Sequence, residues 1–162
     1  MELIVGTVSV ESVDTFLGRL REIGERVDSH LQAIDARFVA GERHLVMASE
    51  LAQRARDRGE AIADDPALEI LLYAAGTRQI ERALALGVST ETETVAIVID
   101  GGDERSAADA IRDEIIESEA QFSPDRDRIL DWFDVTEAEL AATDASLEAL
   151  VCERVALLTV DR

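Results

Sequence analysis

The sequence predicts a mixed α/β fold, a small central sheet of about four strands covered by several helices. Three observations carry that expectation. Residues 94–100, T-VAIVI-D, form a continuous apolar run with polar ends, the pattern of a strand buried on both faces. Apolar residues recur at helical spacing on both sides of that run. At 162 residues the chain is long enough for one full hydrophobic core, so residues 1–162 read as a single domain.

Taken in order, residues 2–10 alternate weakly and fit a first strand rather than a signal peptide. Ser12 or Asp14 starts a helix with Val13, Phe16, Leu17, Leu20 and Ile23 on one face. Leu31 to Val39 reads as extended. Gly41 opens the next helix, which turns Leu45, Ala48, Leu51 or Ala52, and Ala55 inward. Arg43 and His44 fall in its first turn, and Arg54, Arg56 and Arg58 face the negative end of its dipole. Gly59 to Asp65 is a short linker. After the buried strand, Asp100-Gly101-Gly102-Asp103 is a turn; it matches neither a dinucleotide fingerprint nor a Lys-terminated phosphate loop. Ala107 to Ile116 is amphipathic, with Ala108, Ile111 and Ile115 inward. Ser123-Pro124 starts a short helix through Ile129, Leu130, Trp132 and Phe133. Thr136 and Glu139 fit a capping box for a final helix carrying Leu140, Leu147, Leu150 and Val151. VALLTV, residues 155–160, reads as the last strand.

The most organised stretch is 65–88. Asp65 caps a helix with Pro66 in its first turn, and nearly every position from Ala67 to Ala75 is apolar. Gly76 provides a left-handed stop. Thr77 then caps a second helix at once, with Ile80, Ala83 and Leu84 on one face, Arg78 and Arg82 on another, and Gly87 at its end. The product is a tight elbow with free N–H groups over Gly76–Gln79 and a guanidinium beside them. One reading is a site for a phosphate or other anion. The other is an ordinary corner between helices with a solvated Arg.

Thirty-five acidic residues face sixteen basic ones, a net charge of −19, and every basic residue is Arg. With 47% hydrophobic residues the chain keeps enough apolar surface to fold. The balance suits a salt-rich cytoplasm, where the Debye length is about 3 Å at 1 M salt and carboxylate repulsion is screened. Long acidic runs are then solvated faces rather than metal sites. Arg37 to Arg82 stands apart, with seven Arg against eight acids, while the rest of the chain has a net charge of −18. Either that segment contacts an anion, or it contains the most buried helices and has less surface to acidify.

Catalytic options are few. The lone Cys152 excludes a disulfide framework and reads as a small core residue. No nucleophile elbow, zinc-protease motif, EF-hand loop or Walker motif occurs, and no carboxylate pair stands out as acid and base. His30 reads as a turn residue. His44 is either a polar contact at a helix start or a group that stacks on a base or donates to phosphate. A binding module without catalytic residues, metal or cofactor is expected. No apolar run approaches the ~18 residues of a membrane span, and a cytoplasmic home is expected.

EILLYAAGTRQIERALALGV (69–88), with GERHLVMASELA upstream and ERVALLTV near the end, resembles the small KEOPS subunit that binds the complex's atypical Bud-type kinase, the archaeal and eukaryotic family of PRPK-binding protein. The three motifs occur in the same order and span nearly the whole chain; the G-x-R-Q-I elbow after E-I-L is the most specific. The resemblance implies a non-enzymatic subunit with no small-molecule substrate of its own. Such a subunit binds and stimulates the kinase/ATPase subunit and recruits tRNA by its 3′ CCA end for N6-threonylcarbamoyladenosine synthesis. By matching positions, Arg43, His44, Gly76, Thr77, Arg78 and Gln79 become tRNA contacts, with Arg82 beside them. Arg43 stands where relatives often have Lys, and Ala75 where they often have Ser. Trp132, Leu147, Leu150 and Val151 are the candidates for the kinase-facing surface, with core packing as the other reading. The alternatives are a regulatory domain that binds a small anion and a purely structural adaptor.

Overall fold

The computed structural model describes residues 1–160, and the chain divides into two compact units, each built from two stretches of sequence. The first unit comprises Met1–Ala36 and Gly87–Gln121. It contains β1 (Glu2–Thr7), α1 (Val13–Val27), β2 (His30–Asp35), β3 (Thr94–Asp100), α5 (Glu104–Glu114) and β4 (Ser118–Glu119). The second comprises Arg37–Leu86 and the chain from Phe122 onward. It contains α2 (Glu42–Asp57), α3 (Pro66–Ala75), α4 (Ile80–Leu84), α6 (Arg126–Trp132), α7 (Glu137–Ala142) and α8 (Leu147–Leu157).

The mixed α/β expectation holds. In the first unit the strands form one antiparallel sheet in the order β2-β3-β1-β4. β3 is central because its five residues Val95 to Ile99 are all inaccessible to solvent, which suits a strand covered on both faces. The register aligns Ile97 with Ile4 on one side and Ala33 on the other. Those side chains share a core with Phe16, Leu20 and Ile23 of α1 and Ala107, Ala108 and Ile111 of α5. Ser12 caps α1 through its hydroxyl, as expected. The 100–103 turn agrees with expectation too. Gly102 sits at φ 61°, and a Cβ there would collide with the Asp28 carbonyl, so only glycine fits.

The sheet departs from the sequence reading at one strand. Residues 155–160 do not form one: Val155 to Leu157 complete α8, and the chain continues in turns through Val160. Leu150, Val151 and Val155 recur at helical spacing, and α8 packs on α2 and α3, so burial overrides the β-branched preference of the segment. The fourth strand is Ser118–Glu119 instead, two exposed polar residues with no apolar pattern to reveal them. Smaller boundaries also shift. The extended segment expected to Val39 ends at Asp35 and gives way to a 3-10 turn over Ala36–Phe38. The single C-terminal helix is two, α7 capped by Thr136 and α8 capped by Ser146.

Candidate functional site around the helix elbow

All the candidate contact residues lie in the second, helical unit. At its centre is α3. Asp65 caps it through Ala67 N–H, Pro66 occupies the first turn, and Gly76 ends it at φ 65°. Seven successive residues, Glu69 to Ala75, are buried. The stop at Gly76 therefore presents Thr77 and Arg78 at the end of a fixed helix.

The Gly76–Gln79 segment differs from the expected anion nest. The Gly76 and Thr77 N–H groups close the α3 terminus on the carbonyls of Tyr73 (3.1 Å) and Leu72 (3.2 Å). Thr77 accepts from the Gln79 N–H at 3.1 Å but does not cap α4, whose N-cap is Gln79. With those backbone donors satisfied and only five residues in α4, the elbow offers side chains rather than a cradle of N–H groups. Gly87 lies beyond the end of α4, which stops at Leu84. The apolar face assigned to α4 is also only partly inward, because Ala83 is buried while Ile80 is 43% and Leu84 56% exposed.

The side chains divide into two groups. Arg43, Arg78, Gln79 and Arg82 are exposed. Among the described residues no carboxylate pairs with Arg43 or Arg78. Arg82 is partly committed. Its guanidinium lies 4.3 Å from the Trp132 ring centroid and donates to the Trp132 carbonyl at 3.4 Å. Trp132 in turn donates its indole N–H to the Ala75 carbonyl at 2.9 Å and meets Phe38 edge-on. Half-buried Trp132 thus ties α6 to the elbow.

His44 corrects the sequence reading most clearly. It has no solvent exposure and cannot touch a ligand directly. Ala40 N–H donates to Nδ1 at 3.1 Å, and Nε2 donates to the Ala74 carbonyl at 2.8 Å. Both bonds require the neutral ring protonated at Nε2, and burial lowers the pKa to about 4 against the smaller opposing effect of the Ala74 bond. Phe133 packs edge-on against the ring. His44 therefore fixes the start of α2 to the last turn of α3, holding Arg43 in place relative to the elbow.

Two of the expected partner-facing residues are core. Leu150 and Val151 are 4% and 0% exposed, because α8 turns them inward, while Leu147 is half-buried. The apolar surface near the end of the chain belongs instead to Leu157 (50% exposed) and Val160 (73%). Cys152 is buried, and that burial raises its thiol pKa against the nearby Arg43 cation, which fits a packing residue. The Glu148 carboxylate lies against Gly41, leaving no room for a Cβ at the start of α2.

The sequence reading missed Glu69, a fully buried carboxylate. It accepts from the Ile62 N–H with both oxygens (3.0 and 2.9 Å) and from the Ala63 N–H at 2.8 Å. A lone charge in the apolar α3 run was the available signal. It also missed Arg154, whose guanidinium meets Glu139 at 2.8 Å and 3.0 Å and the carbonyls of Phe133 and Asp134.

The molecule is thus a small α/β protein whose helical unit displays, around a helix corner, arginines that pair with no carboxylate among the described residues. It belongs to the CGI-121 kinase-binding protein family, whose model matches residues 10–159. Among curated proteins, none matches this chain.

Proposed function

We propose that this kinase-binding protein is the KEOPS-type subunit that recruits tRNA by its single-stranded 3′ CCA end and presents it to the kinase-containing assembly, without catalysing a reaction itself. The exposed Arg78 guanidinium on the elbow, without a carboxylate partner among the described residues and within the motif that resembles KEOPS subunits, is the observation that carries this reading. Arg43, Gln79 and Arg82 supply further donors, and the Arg82–Trp132 stack offers a planar cation beside them. The buried His44 supports the site from within.

Charge explains why such a site is compact. Affinity from counterion release falls steeply with salt, and a chain of net charge −19 has no broad basic surface to attract RNA. Bidentate Arg and stacking on unpaired bases are the interactions that remain in a salty, archaeal-type cytoplasm. For the kinase subunit, the exposed Leu157 and Val160 offer the apolar surface that Leu150 and Val151 do not.

A gel-shift comparison of tRNA with and without the terminal CCA, at matched salt, tests the proposal. Binding is expected to require CCA and to fall about tenfold or more in Arg78→Ala, consistent with loss of a charge-assisted contact of ~1.5–3 kcal/mol. Thermal unfolding and kinase co-purification should stay unchanged. Equal binding by wild type and variant, or CCA-independent binding, would overturn it.

A further inference from the structure

The opposite end of α2 carries a feature that the elbow does not explain. Leu51, Arg54, Ala55, Arg58, Tyr73 and Thr159 line a cavity of about 160 Å³. Arg54 and Arg58 stand one helical turn apart on the same face. Both are exposed, and neither pairs with a carboxylate among the described residues. Among the described ion pairs Glu50, one turn earlier on α2, does not meet Arg54, and the adjacent Asp57 accepts from Gln53 at 3.1 Å. Like charges at this spacing repel. The helix dipole accounts for positive charge in the last turn, but not for two unneutralised guanidinium groups around one cavity in a chain with 35 acids.

We infer that this cavity is a second anion site, one that takes a phosphate group. Two guanidinium groups match the charge and oxygen geometry of a phosphate dianion. The volume is below the ~300 Å³ at which drug-sized ligand pockets begin, so the occupant is free phosphate or a phosphate monoester with a small body. Leu51, Ala55 and Tyr73, all buried, form the floor of the cavity behind the two arginines. The Thr159 hydroxyl donates to the Ala156 carbonyl at 2.7 Å, so recognition falls to the arginines. Arg54 lies eleven residues beyond Arg43, about 16 Å along the helix at 1.5 Å per residue, which separates this site from the elbow.

The test is an NMR titration of the full chain with inorganic phosphate and with phenyl phosphate, each to about 20 mM at constant ionic strength, reading the Tyr73 and Thr159 amides; excess ligand should saturate a specific site. Saturable shifts are expected in the wild type. They should weaken about tenfold in Arg54→Gln/Arg58→Gln, which loses both charged donors. Arg21→Gln/Arg105→Gln removes the same charge from exposed arginines of the first unit that have no carboxylate partner among the described residues, and should titrate like wild type. Tighter binding of phenyl phosphate identifies a monoester ligand that uses the floor; equal binding identifies free phosphate. Shifts that do not saturate, or that fall equally in both double variants, overturn the site. Loss of tRNA binding in Arg78→Ala bears only on the elbow.

Discussion

His44 decides how the start of α2 behaves in acid. Its ring is neutral in the fold because Ala40 N–H occupies Nδ1, and burial lowers its pKa from 6.5 to about 4. Below pH 6.5 the unfolded chain therefore takes up a proton that the folded chain refuses. The stability owed to the neutral ring is fully present above pH 6.5 and is lost as the pH falls to about 4, an effect of about 3 kcal/mol. An NMR titration of the His44 ring should give a midpoint near 4, and a midpoint near 6.5 would contradict the buried neutral tautomer. The measurement reads the ring alone, separately from the carboxylates, whose protonation relieves repulsion in the opposite direction. The sequence placed His44 in the first turn of α2 but left its role open, because the partners that bury it, Ala74 and Phe133, are far away along the chain.

At the scale of elements, α3 organises its surroundings through one carboxylate. Glu69 gathers the N–H groups of Ile62 and Ala63 and so holds the linker between α2 and α3 against the start of α3. Glu69→Ala leaves these donors unmet and should cost roughly 2–3 kcal/mol in urea unfolding. A cost under about 0.5 kcal/mol would mean that water satisfies the linker as well as the carboxylate does. Helix starts and stops were the most legible elements: Ser12, Asp65, Pro66, Gly76 and Thr136 all act where local chemistry places them. α4 and the C-terminal segment were less legible. A five-residue helix carries too few turns for a periodic pattern, and VALLTV has the composition of a strand but the burial of a helix end.

Charge governs the molecule as a whole. The side chains of the pairs Arg26–Glu114 and Arg126–Glu137 are between 46% and 69% exposed, and such pairs are worth ~0–1 kcal/mol each. Self-repulsion from a net charge of −19 acts across the entire surface. Salt weakens both, but it removes more repulsion than attraction. The melting temperature should therefore rise as KCl increases from about 0.1 M to 2 M, by about 2–4 °C for each kcal/mol of repulsion relieved. A flat or falling melting curve would show that the ion pairs outweigh the repulsion.

By itself the sequence determined the α/β class, the buried central strand, the caps and stops around α3, and the placement of Arg43, Arg78 and Arg82 in the least acidic stretch. These features arise from period, turn chemistry and charge, which act between residues close in the chain. Only the tertiary structure decided which of those residues remain available. It buried His44, Leu150 and Val151, stacked Arg82 on Trp132, and spent the Gly76 and Thr77 N–H groups on the end of α3. It also gathered Arg54, Arg58, Tyr73 and Thr159 around one cavity. Exposure and hydrogen-bond satisfaction depend on contacts between segments such as Trp132 and Ala75, 57 residues apart, and no local pattern encodes them.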